Sequence, residues 1–181
     1  MKRIVTVLVL ASLAAAAPAA MAQSDLGLKR VGVALGYIDP EQLGGTVSLG
    51  VFADHGTIAP RFGLETRLDY WSSSEEAFGA KASIRDIALG SRGKYHFPVE
   101  NTKIRPFAGA GLGIHFLKGE VTVPGFPSAS ASSTELGLDF GGGIATAIGP
   151  RTDLLGEAWF GIVDSANTFS LRAGLSYKLG S

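Results

Sequence analysis

Three sets of residues in this chain have types that could do chemistry. The glycines of Gly109-x-Gly111-x-Gly113 could cradle a phosphate if they formed a turn between a strand and a helix. His96 and His115 could bind a metal ion or act as general bases beside nearby carboxylates. Ser91 and His96 could pair as a nucleophile and its base. Each interpretation depends on the element that carries the residues.

The spacing of these residues favours packing over chemistry. The glycines recur at every second position, as in a strand interior, and no turn into a helix follows them. The sequence has no H-x-x-H or H-E-x-x-H pair for a metal and no G-x-S-x-G elbow around a serine. Ser91 and His96 are five positions apart and therefore fall on opposite faces of a strand. We therefore predict no catalytic residue, no metal ligand and no cofactor site.

The segment 105–116 alternates between two kinds of side chain, which is the period of a β-strand. One phase is apolar: Ala108, Ala110, Leu112, Ile114 and Phe116. The other phase combines small and polar residues: Arg105, Phe107, Gly109, Gly111, Gly113 and His115. No competing period of 3.6 residues extends over a useful length of the chain.

Similar alternation recurs along the chain and predicts eight strands. Their expected ranges are 29–38, 45–54, 59–71, 80–97, 103–117, 133–148, 152–163 and 167–179. The even-numbered connections are short turns at 55–57, 98–102 and 149–151, whereas the odd-numbered ones include the long stretches 72–79 and 118–132. Short turns at one end and longer loops at the other are typical of an up-and-down barrel in an outer membrane.

The N-terminus carries an export signal. A basic start at Lys2 and Arg3 is followed by the apolar run 4–13 and by Ala20-Met21-Ala22, an A-x-A cleavage site. We expect residues 1–22 to be removed, leaving a barrel domain over 23–181. The chain has no cysteine, and its 16 basic and 16 acidic residues balance. That balance disfavours a nucleic-acid binder, which would carry a basic face.

The two phases indicate which side of the barrel faces lipid. A soluble barrel buries its apolar phase, whereas a small membrane barrel turns that phase outward and packs polar side chains in its lumen. We expect the polar phase to form a structural network of paired charges that plugs the lumen. Its predicted basic members are Arg30, Arg61, Arg67, Arg92, Lys94, Arg105, Arg172 and Lys178, and its acidic members are Glu65, Asp69, Asp86, Glu135, Asp139 and Glu157.

The signal peptide, the eight alternating stretches and the glycine-rich segment 105–113 resemble the outer-membrane β-barrel superfamily. That group includes the OmpA transmembrane domain and the OmpX, Ail and opacity-type proteins. The resemblance implies an all-β fold, an eight-stranded antiparallel up-and-down transmembrane β-barrel, in the outer membrane of a Gram-negative-type bacterium. Four residues near the C-terminus resemble the assembly signal of these proteins: Arg172, Gly174, Tyr177 and Leu179.

The resemblance also implies partners. The barrel would contact outer-membrane lipid as a monomer, and the insertion machinery and periplasmic chaperones would recognise it during assembly. We expect a structural or surface-interaction role, with any external contact made by the loops 72–79 and 118–132. Two alternatives stay open at this point: a narrow pore or transporter for small solutes or apolar ligands, and a soluble lipocalin-like binder.

Overall fold

The computed structural model describes residues 24–41, 44–100, 103–164 and 167–180 and forms a closed antiparallel barrel. The predicted signal peptide lies outside these residues. Each strand pairs with its neighbours in chain order, and β1 also pairs with β8, from Arg30↔Lys178 to Pro40↔Thr168. The strands are β1 (Asp25–Pro40), β2 (Thr46–Ala59), β3 (Phe62–Ala77), β4 (Ala80–His96), β5 (Ile104–Thr122), β6 (Ala129–Ala147), β7 (Thr152–Val163) and β8 (Thr168–Lys178). The predicted eight-stranded up-and-down barrel is confirmed.

The alternation of side chains sorts the residues between the outside and the lumen. Leu112 on β5 has 67% of its surface exposed, whereas Phe107 on the same strand points inward with 4% exposed. Large apolar side chains cover the outside of every strand, and the buried side chains of the described lumen include eight that are charged. This is the inverse of a soluble barrel, because the apolar face has no protein to cover it.

The predicted turn between β2 and β3 was placed wrongly. Residues 55–57 lie within β2, where the register shifts between Asp54 and Thr57 in the pairing with β3. Gly56 has a φ of 80°, and its N–H donates to the Asp54 carboxylate at 2.8 Å. A glycine with positive φ and an extra residue are the marks of a β-bulge, which bends a strand without ending it. The chain reverses instead at Pro60 and Arg61.

The stretches 72–79 and 118–132, predicted as loops, are mostly strand. Pairing of β3 with β4 continues to Ala77↔Ala80, and pairing of β5 with β6 continues to Val121↔Ala129. The neighbouring strands β2 and β7 do not extend as far. The pairing of β2 with β3 ends at Trp71, and the pairing of β7 with β6 begins only at Gly137. Serine and alanine residues suit a strand that is solvated on both faces, and cross-strand hydrogen bonds hold these strands together. Four strands therefore extend beyond the barrel rim.

Candidate functional site

A layer of buried ion pairs crosses the middle of the lumen. The Lys94 ammonium on β4 donates to Glu65 Oε2 at 2.5 Å and to Glu157 Oε1 at 2.8 Å. The Arg67 guanidinium lies 3.5 Å from both carboxylates and donates from Nε to Asp69 at 2.6 Å. All five side chains are buried. The pairs join β3 and β4 to β7 on the far wall, and isolated charges would be costly at such buried positions.

A second group of pairs lies on the loop side of this layer. Arg172 on β8 donates to Asp69 at 2.8 Å, and Arg92 on β4 donates to Asp139 on β6 at 2.8 Å. Asp86 accepts a hydrogen bond from Trp71 Nε1 at 3.2 Å and lies 2.7 Å from His115 Nδ1. His115 is thus hydrogen-bonded to a single carboxylate, that of Asp86, on the wall of the lumen.

A third group closes the turn side of the lumen. Asp153 on β7 forms ion pairs with Arg30 and with Arg105, whose Nη2 lies 2.5 Å from the carboxylate. Asp54 lies 3.9 Å from Arg30 Nε. Asp54 and Asp153 were not among the predicted lumen residues. Their positions share the inward phase of Phe52 and Leu155, and that parity was the signal in the sequence that could have found them.

Aromatic rings fill the space between the charges. The Arg92 guanidinium carbon lies 3.8 Å from the centroid of a Trp159 ring, and Lys94 Nζ lies 4.7 Å from the Phe107 centroid. Trp159 is only 2% exposed, deep in the lumen rather than at its mouth. A cation over a ring face gains electrostatic attraction when both groups are desolvated. The plug is therefore built from rings as well as ion pairs.

Glycines give the long cationic side chains their room. A Cβ on Gly111 would lie 2.6 Å from Arg92 Cγ, and a Cβ on Gly36 would lie 2.6 Å from Arg172 Cγ. Both distances are well below normal van der Waals contact, and each Cβ would also meet a backbone carbonyl, that of Ser91 for Gly111 and that of Leu171 for Gly36. A larger residue would therefore displace both the arginine and the neighbouring strand. The closely spaced glycines thus serve packing in mid-strand and lie in no phosphate-binding turn.

Three predicted network residues lie elsewhere. Arg61 was expected inside the lumen, but it lies exposed in the β2–β3 turn with a φ of 67°, because that turn comes later in the chain than predicted. Lys178 is exposed at the end of β8. Glu135 is half-buried on β6, opposite His115, and accepts a hydrogen bond from Ser133 at 2.9 Å. Glu135 belongs to the rim rather than to the central layer.

The plug leaves little open volume. A cavity of about 30 Å³ lies on the loop side, against Asp86 and Trp159, and one of about 60 Å³ lies on the turn side, against Arg30 and His96. These volumes suit single water molecules or small clusters of them. The central ion pairs lie between the two cavities. The lumen as described is a packed interior.

The candidate catalytic and metal-binding residues are not brought together. Ser91 Oγ donates to the Glu65 carbonyl at 3.3 Å, on the face of β4 opposite to His96. Within residues 24–41, 44–100, 103–164 and 167–180, no group of His, Cys, Asp and Glu has the arrangement of a metal site. The same residues contain no helix long and apolar enough to cross a membrane.

The four residues of the predicted assembly signal lie on β8 and directly after it. Arg172 and Gly174 point into the lumen, and Tyr177 lies exposed on the outside. Leu179 follows the strand, and its N–H donates to the Lys29 carbonyl at 2.8 Å. The four residues therefore lie on two faces, two toward the lumen and two toward the outside, and recognition of this segment stays a prediction.

The strand extensions form what we call the projecting sheet: Ser72–Ala77, Ala80–Arg85, Lys118–Thr122 and Ala129–Thr134. It continues six residues beyond Trp71 on β3, or roughly 20 Å along the strand. Its β3–β4 turn holds Phe78, fully exposed with a φ of 52°, and its β5–β6 loop holds the exposed Phe126. A Cβ on Gly79 would lie 4.0 Å from Pro124, so the two tips are neighbours.

A closed eight-stranded barrel with an apolar outside and a charged plug defines a small outer-membrane β-barrel protein. Residues 6–179 match the outer membrane protein beta-barrel domain family, and the chain belongs to that family. The family and the fold neighbours place the protein in the outer membrane of a Gram-negative-type bacterium. Comparison with curated proteins finds no significant match.

Solved structures of three bacterial proteins share the fold at low sequence identity. Neisserial surface protein A is 16% identical with a TM-score of 0.68, over 86% of this chain and 100% of the other. A major outer membrane protein from Thermus thermophilus is 16% identical with a TM-score of 0.61, over 84% and 100%. Ail, the attachment invasion locus protein of Yersinia pestis, is 12% identical with a TM-score of 0.55, over 84% and 100%.

Proposed function

We propose that this protein is a surface-interaction protein whose barrel anchors the projecting sheet and conducts no solute. The observation that carries the proposal is the contrast between the lumen of the barrel and the tip of the sheet. The lumen is filled by ion pairs and rings, whereas exposed apolar residues gather at the far tip of the sheet. A solute pore would need the reverse: an open lumen, and loops without exposed apolar residues at their tips.

The tip has the properties of a contact surface. Phe78 is fully exposed, and it occupies a backbone conformation that favours glycine or asparagine. Phe126 lies in the neighbouring loop, flanked by Gly125 and Pro127. Exposed aromatic side chains are enriched at protein interfaces, where they supply much of the binding energy. Retaining a strained, exposed phenylalanine has no evident benefit to the barrel itself.

The names of two fold neighbours, a surface protein and an attachment invasion locus protein, are compatible with this proposal. The catalytic alternative has no support from geometry, because Ser91 and His96 face opposite sides of β4. We therefore propose no enzymatic role. The pore alternative stays as an outcome of the test.

The test combines adhesion with conductance. Bacteria displaying the protein should adhere to epithelial monolayers or matrix-coated plastic, and the double variant Phe78→Ser/Phe126→Ser should lose roughly 30-fold in binding strength, as for two interface anchors. The control is Val99→Ser, the same kind of change at an exposed apolar residue in the β4–β5 turn. Two results would overturn the proposal: steady single-channel currents from the wild-type protein in planar bilayers, or adhesion of the Phe78→Ser/Phe126→Ser variant equal to that of the wild type.

A further inference from the structure

Two cations face each other at the base of the projecting sheet. The register of β4 and β5 places Arg85 directly opposite Lys118, with Ser72 and Ser132 completing the row across four strands. Like charges directly opposite each other destabilise a sheet. Among the described residues, neither side chain takes part in an ion pair or a side-chain hydrogen bond. No carboxylate of the described residues lies within ion-pair distance of either cation.

The pair lies on the outward face, just beyond the apolar band. Successive outward positions on a strand are two residues apart, and the outward row below contains Tyr70, Ile87 and Phe116. On a strand tilted by about 40°, two residues rise about 5 Å. Ten residues from Phe97 to Ile87 rise about 25 Å, the height of the apolar band of such barrels. Arg85 therefore lies at the level of the lipid headgroups, on the loop side.

The carboxylates on this face lie farther from the membrane. Glu120 is opposite Ser83 in the next row up, and Glu76 is opposite Lys81 in the row after that. The row of Arg85 and Lys118 holds no acidic residue, and the outward rows beneath it hold no charged residue. An anion at headgroup level thus meets two unpaired cations before it meets any carboxylate.

We propose that Arg85 and Lys118 bind the phosphate groups of the phosphorylated glycolipid in the outer leaflet. Arginine offers a fork of donors that matches phosphate oxygens, and lysine adds a compact charge beside it. The bound phosphate would relieve the repulsion between the two cations. It would also fix the base of the projecting sheet to the membrane surface.

Lipid binding by the full-length protein in nanodiscs tests this proposal. Bis-phosphorylated lipid A is titrated against wild type, Arg85→Gln/Lys118→Gln and the control Lys81→Gln, and bound lipid is counted by native mass spectrometry. The double variant should bind roughly 30-fold more weakly, at about five-fold for each cation lost near a membrane surface. The control, farther from the membrane, should bind almost as the wild type does.

Two further arms identify the source of the phosphate. Dephosphorylated lipid A should bind wild type and double variant equally, and inorganic phosphate at millimolar concentration should displace little of the phosphorylated lipid. Unchanged heat-modifiable gel mobility shows that the double variant is folded. Equal affinity of wild type and double variant for phosphorylated lipid A, equal binding of both lipids by wild type, or full displacement by free phosphate overturns the proposal.

Discussion

Replacement of Lys94 by methionine tests whether the central ion pairs hold the barrel together. Lys94 donates to Glu65 and to Glu157, and Lys94→Met removes both hydrogen bonds with little change in side-chain volume. Arg67, 3.5 Å from each carboxylate, is then the nearest remaining cation. Removing one partner from a buried pair costs about 3–5 kcal/mol, because a desolvated charge is left behind. We expect a loss in the free energy of unfolding within that range.

A double-mutant cycle separates pairing from packing. Glu157→Gln alone should also destabilise the barrel, and the double variant Lys94→Met/Glu157→Gln should lose less than the sum of the two by at least about 1 kcal/mol. Lys103→Met, at an exposed lysine in the β4–β5 turn, is the control and should change stability by less than about 0.5 kcal/mol.

Urea unfolding of the protein in lipid vesicles, followed by tryptophan emission, gives these free energies. Both tryptophans of the chain, Trp71 and Trp159, lie inside the barrel, and the Trp159 ring is 5.9 Å from Lys94 Nζ. Emission therefore reports on opening of the lumen. The reasoning is refuted if Lys94→Met costs no more than the exposed control, or if the two lumen substitutions are strictly additive.

Two more substitutions test the glycine packing and the tip. Gly111→Val should destabilise by about 1–3 kcal/mol because its side chain would displace Arg92, whereas Gly119→Val, with open space around the Cβ position, should be nearly neutral in the same urea assay; equal effects would contradict the packing argument. Phe78→Asn should stabilise the β3–β4 turn by about 1 kcal/mol, since asparagine followed by glycine suits two positive φ values. Slower amide exchange at Ala77 and Ala80 is the measurement, and faster exchange would count against strain at Phe78.

The side-chain phase of each strand could be predicted from the sequence, because it depends only on the alternation of neighbouring residues. Leu112 outside and Phe107 inside follow directly from that parity. The ends of the strands were harder to predict from the sequence. The stretch 55–57, with its central glycine, has the composition of a turn, and only the pairing on both sides reveals that it is a bulge. The serines of 72–74 likewise have the composition of a loop until their partners are known.

The pairing of charges across the lumen could not be predicted. Lys94 and Glu157 are 63 residues apart, and their contact depends on how far the strands are staggered when the barrel closes. Local sequence carries no information about that stagger. Most members of the network could be named from their phase, but which cation meets which carboxylate could not, and Asp153, which pairs with Arg30 and Arg105, was missed.

The partners of Lys94 have a consequence for the order of assembly. Glu65 is on a strand next to β4, but Glu157 is on β7, which reaches Lys94 only when the sheet has curled on itself. An open sheet lacking β7 and β8 would carry half-paired charges on the face that becomes the lumen, and hydrocarbon would not tolerate them. Partial barrels should therefore not accumulate within the bilayer. The first strands can enter lipid only once β7 and β8 have closed the barrel. Insertion and closure must therefore occur as one cooperative event.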